Sequence, residues 1–173
     1  PPPPRVAAQN LERGKPVGPL RNLGRIPNRR GTTVRFKPDA KIFGADAHFK
    51  PQRVFKMARS KAYLYGGVEI RWNCAPELLR GIDDVPAQET FHFPDGLKDF
   101  LAAAIERDTL VHPDIFTGRA GRTGAHGAVE WAVAWTADAD GFITSYCNTI
   151  PTGDGGTHES GLRTALLRGL KDH

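Results

Sequence analysis

The sequence predicts an α+β chain made of two units, and three observations carry that prediction. Alternating strands and 3.6-period helices follow one another without repeats, and residues 89–173 read in the order β-α-β-β-α. The charge reverses part-way: residues 1–72 hold 16 Lys+Arg against 4 Asp+Glu, and residues 73–173 hold 8 against 15. Pro76 and Pro86 punctuate an aperiodic stretch at 73–88, where the first unit is expected to end. The units are therefore set at 1–88 and 89–173.

The elements follow in order. Residues 5–30, polar and rich in Arg, read as a long basic surface loop, with Arg25, Arg29 and Arg30 as candidate phosphate or DNA contacts. Gly31 to Lys37 alternates, with Val34 and Phe36 on one face, and predicts a half-buried strand ended by Pro38-Asp39. Pro51 suits a first helical turn, and Val54, Met57, Ala58, Lys61 and Leu64 or Tyr65 mark that helix's face. Gly66-Gly67 closes it, and Val68, Ile70 and Trp72 alternate as a strand.

In the second unit, Glu89 to Phe93 predicts a strand, with Phe91 and Phe93 facing one way. Asp95 is the expected cap of a helix with Leu97, Phe100, Leu101, Ala104 and Ile105 as its buried stripe. Residues 108–125 read as a loop carrying Arg119 and Arg122. Two alternating runs follow, with Val129, Trp131, Val133 and Trp135 in the first and Phe142, Thr144 and Tyr146 in the second. The turn Asp138-Ala139-Asp140-Gly141 between them predicts an antiparallel hairpin. That strand should end at Asn148, with Pro151 breaking the ladder, a glycine-rich turn at 153–156 and a helix starting near Glu159. Leu162, Ala165 and Leu166 share one face of this last helix.

Composition places the chain with globular proteins, at 39% hydrophobic and 25% charged residues. Cys74 and Cys147 stand in unrelated contexts and are expected to be free thiols in a reducing cytoplasm. The six histidines show no ligand spacing, so no metal site is expected, and no nucleophile motif or phosphate-loop Lys-Ser/Thr is present. The residues on their own assemble no active site. The basic half attracts polyphosphates of any kind, which leaves a self-contained nucleic-acid-binding module open as a function.

The order of residues from Asn148 to Leu167, NTIPTGDGGTHESGLRTALL, says more. It resembles the Asn-x-Ile-Pro-Thr…Asp-Gly-Gly-Thr-His…Gly-(Phe/Leu)-Arg block of the B subunits of bacterial type IIA topoisomerases, gyrase and topoisomerase IV. Further blocks in the right order are Arg13-Gly14-Lys15-Pro16, Asn28 to Asp39, Gly67 to Ile70, Phe93 to Leu97 and Glu130-Trp131. Thr144-Ser-Tyr146, Ile150-Pro-Thr152 and Gly161-Leu162-Arg163 are more similar to topoisomerase IV than to gyrase.

The resemblance implies the end of a GHKL-type ATPase α/β sandwich over residues 1–88. The first part of a transducer domain, like ribosomal protein S5 domain 2, is implied over residues 89–173. It places Gly31, Thr32 and Val34 at the adenine pocket, Thr32 through its hydroxyl and bound water and Val34 through apolar contact. Asp154, Gly155, Gly156, Thr157, His158 and Arg163 form its transducer motif. ATP and Mg2+ are the implied cofactors of the parent enzyme. The A subunit, DNA and a second B subunit on ATP binding are its implied partners, in the cytoplasm and away from membranes. The family's Glu base, Mg-binding Asn, adenine-reading Asp and lid motifs have no counterpart here, nor does its Gln-Thr-Lys loop. The chain is therefore expected to be an internal fragment that holds neither cofactor tightly and does not hydrolyse ATP alone.

Overall fold

The computed structural model describes residues 5–25, 30–106, 108–121, 127–137 and 141–173. Two compact units divide between Phe49 and Lys50. In the first, strand β1 (Arg5–Ala8) pairs antiparallel with β4 (Arg21–Arg25), from Arg5 opposite Arg25 to Ala8 opposite Arg21. Nested between them, β2 (Leu11–Glu12) pairs with β3 (Lys15–Pro16) around an Arg13-Gly14 turn with φ of 51° and 76°. The Arg13 guanidinium reaches the Asp39 carboxylate at 3.1 Å, and Asp39 also accepts the Lys41 backbone N–H at 2.9 Å as cap of the short helix α1 (Ala40–Phe43). That backbone bond, then the Arg13 contact, holds the Asp39 carboxyl below its usual range.

Two expectations fail in this unit. Residues 5–25 are a ribbon of strands rather than a loop. Backbone pairing builds it, and with both faces largely exposed no apolar alternation announces it. Conversely, residues 31–37 form no strand. Their backbone is irregular, and Val34 and Phe36 are 75% and 72% exposed. Alternation marks a face that could be covered, but a strand also needs a neighbour for its N–H and C=O groups, and among the described residues none pairs here.

The second unit is organised by helix α2 (Pro51–Leu64), with Pro51 in its first turn. Its buried positions are Ala62 and Tyr63, with Phe55 meeting Trp72 and Phe91 edge to face at 5.5 and 5.1 Å. The inward stripe is therefore turned from the expected one, leaving Met57 and Tyr65 more than half exposed. Gly67, at φ 85°, leads into β5 (Glu69–Asn73), which pairs antiparallel with β6 (Gln88–His92). Across the connection, Val85 is buried and the Trp72 indole N–H donates to the Pro86 carbonyl at 2.8 Å.

Helix α3 (Leu97–Ala104) starts at Gly96, φ 58°, and not at an Asp95 side-chain cap. Asp95 instead donates its backbone N–H to the Asp99 carboxylate at 2.8 Å. Phe100 and Ile105 face inward as expected, whereas Ala104 is exposed. Next, β7 (Phe116–Gly121) pairs with β8 (Ala128–Val133), so the loop expected at 108–125 contains a strand with Arg119 on it. Arg122 lies outside the described residues, as do Asp138, Ala139 and Asp140 of the expected turn.

The predicted hairpin is replaced by two. β8 pairs with β7, and only β9 (Tyr146–Cys147) of the second run is a strand. β9 pairs with β10 (Ile150–Pro151), so Pro151 joins the ladder at its end rather than breaking it. Helix α4 (Thr157–Asp172) closes the chain. Glycines at 118 and 121 concealed β7, yet Gly118 is what its pairing requires. It lies opposite Trp131, and an added Cβ would stand 2.3 Å from the indole Cζ2. Gly118→Val should therefore destabilise the chain by about 1–3 kcal/mol through forced repacking. Urea denaturation of wild type and variant measures this.

Candidate functional site

The residues that the sequence singles out from 154 to 163 gather around the β9–β10 hairpin and the start of α4. Ser145 and Thr152 flank the hairpin, joined by a backbone bond from Thr152 N–H to Ser145 C=O at 2.9 Å. Their hydroxyls meet at 2.7 Å, and Ser145 Oγ also donates to Glu159 Oε2 at 3.0 Å. Thr152 Oγ1 stands 3.3 Å from His158 Nε2, and Arg163 donates to Glu159 Oε1 from Nε and Nη2 at 3.3 and 3.2 Å. Gly155, at φ 76°, turns the chain, and Gly156 is the N-cap residue of α4. Asp154 is exposed, and Thr157 is the first helical residue. The half-buried Glu159 is the hub, because it ties a loop hydroxyl to a helix guanidinium.

The hairpin's turn, Asn148-Thr149, has φ of 47° and 67°, the left-handed pair that closes a two-residue hairpin. Asn tolerates that region. A β-branched Thr there costs about 1–2 kcal/mol. Two side chains of α2 hold the hairpin. Lys61 Nζ donates to the Thr149 carbonyl at 2.9 Å and to its hydroxyl at 2.5 Å. The Tyr63 and Tyr146 hydroxyls are hydrogen-bonded to each other. Sequence reasoning placed Lys61 on a helix face and missed Tyr63, Ser145 and Thr149 as a set. The Asn-Thr pair between two short strands is the one local signal that a strained turn was present.

The other sequence-predicted residues fall in the first unit. Gly31, Thr32 and Val34 lie in the irregular, exposed stretch. Arg25 ends β4 opposite Arg5, Arg30 is exposed, and Arg29 lies outside the described residues. Among the described residues no group of three His, Cys, Asp or Glu is placed to hold a metal ion, and no helix is long and apolar enough to cross a membrane. Cys74 and Cys147 are free thiols.

Beside the network, Leu162, Ala165 and Leu166 of α4 and Phe116, Trp131 and Trp135 of the β7–β8 side line an apolar groove of about 750 Å³. The Trp131 indole Nε1 is buried there without a hydrogen-bond partner among the described residues.

Tyr63 is strongly perturbed in its titration. Burial first, and then the bond with Tyr146, raise its phenol well above the usual tyrosine range. The folded state thus holds this proton more tightly than the unfolded chain does. Its stabilising effect is complete below about pH 10, the unfolded tyrosine value, and falls as pH rises through the raised folded value. Tyr63→Phe keeps the ring stacking and should flatten the loss of stability between about pH 9 and pH 11. Urea denaturation at both pH values tests this.

The family model for DNA gyrase B matches residues 96–173. The chain is 52% identical over 167 residues to the topoisomerase 4 B subunit of Bartonella bacilliformis, covering 96% of this chain and 24% of that protein. It is 53% identical, again over 167 residues, to the topoisomerase 4 B subunit of Caulobacter vibrioides, covering 94% and 24%. Among solved structures, the 43K ATPase domain of Thermus thermophilus gyrase B, in complex with an aminocoumarin, superposes with a TM-score of 0.71 at 31% identity. The match covers 92% of this chain and 41% of that one. The chain spans about a quarter of the length of the curated relatives it matches. The α+β, GHKL-type class expected from the sequence agrees with that structural neighbour. Residues 96–173 fall in the DNA gyrase B family, and nearly the whole chain aligns with one segment of the topoisomerase 4 B subunits.

Proposed function

We propose that this chain is part of the ATP-binding B subunit of a topoisomerase that passes one DNA duplex through another. The single observation that carries the reading is the identity of 52% and 53% to two topoisomerase 4 B subunits over nearly the whole chain. In this reading residues 1–88 are the end of the ATPase domain and residues 89–173 the first part of the transducer. Gly31, Thr32 and Val34 form the adenine side of the nucleotide pocket. Thr32 and Val34 are exposed, so a hydroxyl and an apolar group are both open to a purine edge. Asp154 to His158 and Arg163 shape the loop and helix start that carry the nucleotide state onward.

ATP with Mg2+ is the cofactor of this reading. When bound, the metal neutralises phosphate charge, and no cluster among the described residues is placed to hold it. The partners are the A subunit, DNA and a second B subunit that joins on ATP binding, and the setting is the cytoplasm. The chain alone is expected to be inactive, whereas the intact protein carrying it should hydrolyse ATP with magnesium and decatenate DNA.

One observation favours a second reading, that of a basic nucleic-acid-binding module. The β1–β4 ribbon exposes Arg5, Arg21 and Arg25 together. Such a module would bind DNA with a steep salt dependence as this chain alone, and a flat or absent response rejects it. For the nucleotide reading, Thr32→Ala in the intact protein should weaken ATP binding about three- to tenfold, the loss expected for one hydrogen-bonding group. Nucleotide titration by calorimetry measures this, and an unchanged affinity would remove Thr32 from the pocket.

A further inference from the structure

Lys61 and Tyr63 lie two residues apart near the end of α2, and they hold opposite ends of one six-residue hairpin. Tyr63 bonds to Tyr146 in β9, and Lys61 takes Thr149 by both its carbonyl and its hydroxyl. The residue that Lys61 holds is the strained one. A β-branched side chain at φ 67° persists only where surrounding contacts over-determine it. The hairpin leads without a linker into Thr152, which joins Ser145, His158 and, through Ser145, Glu159 at the start of α4. A displacement of the end of α2 therefore acts on the tip of the hairpin and on the loop behind it.

We propose that Lys61 is a positioning residue, a latch through which α2 holds the Asn148-Thr149 turn in its strained form and thereby couples the helix to the loop at residues 152–159. The coupling rests on the functional reading above, in which α2 belongs to the ATPase part and the hairpin to the transducer part. With the latch closed, the hairpin and α2 move as one body. With it open, Thr149 relaxes out of the left-handed region and the hairpin tip follows its own conformational preference.

Two variants of the intact protein separate coupling from simple support. Lys61→Met keeps the aliphatic stem and removes the donors. Hydrogen exchange of the amides at 146–152 should rise about tenfold or more, as expected when a local closing contact is lost. ATP hydrolysis should stay within about twofold of wild type, while DNA strand passage per ATP falls about fivefold or more. Adding Thr149→Gly to Lys61→Met supplies a residue at ease with positive φ, which should restore slow exchange at 146–152 but not strand passage. Unchanged exchange in Lys61→Met, or unchanged strand passage per ATP, overturns the proposal. So does recovery of strand passage in the double variant, because Lys61 would then only relieve strain. A wild-type protein that hydrolyses no ATP fails the functional reading itself, and exchange at 146–152 then tells whether the latch also fails.

Discussion

Tyr63 is the side chain on which the second unit depends. It is 5% exposed, stacks on Phe100 of α3 at 3.9 Å between centroids, and meets Phe93 and Tyr146 edge to face at 5.9 and 6.0 Å. One aromatic ring thus joins the central helix to α3, to the exit of β6 and to the first strand of the β9–β10 hairpin. Few side chains in this unit are as buried, namely Ala62, Val85, Phe91 and Ile105 among the described residues. Aromatic rings carry large buried areas and prefer these offset and edge-on geometries, so a small core can be organised around one of them. The hydroxyl has the same importance. Desolvated, it needs a partner, and Tyr146 supplies one.

How much of this was legible follows from what kind of signal each element leaves. The three longer helices were readable in position, though α2 turns a different stripe inward, because apolar residues at 3.6-residue spacing leave a one-dimensional trace, and Pro51 and Gly67 mark the ends of α2. Strands fared worse. The β1–β4 ribbon and β7 are poorly marked in the sequence, since β4 is exposed along its whole length and β7 places glycines opposite Trp131 and Ala128. The alternating stretches at 31–37 and 142–145 have no strand beside them among the described residues, and strand pairing is a non-local fact that no window reports. The polar network failed to show for the same reason. Lys61 and Thr149 are separated by 88 positions, and nothing in either neighbourhood names the other.

The candidate site was legible in another way. Its residues came from motif order, and the alignment with two topoisomerase 4 B subunits spans nearly the whole chain. The motif blocks contain Ser145, Thr152 and Glu159, but their order does not reveal how these side chains support one another. Ser145, Thr152 and Glu159 hold the loop, and α2 holds the hairpin in front of it. Motifs mark the residues that meet ligands or partners, whereas the contacts that aim them can be made by many residue types and leave no fixed spelling.

The apolar groove has a use independent of any ligand. Of the three tryptophans, Trp131 and Trp135 line it, while Trp72 is engaged elsewhere with Pro86. Indole emission moves to shorter wavelength when water leaves the ring. The intrinsic fluorescence of this chain is therefore weighted towards one surface, and whatever comes to cover that surface announces itself in the spectrum without a label.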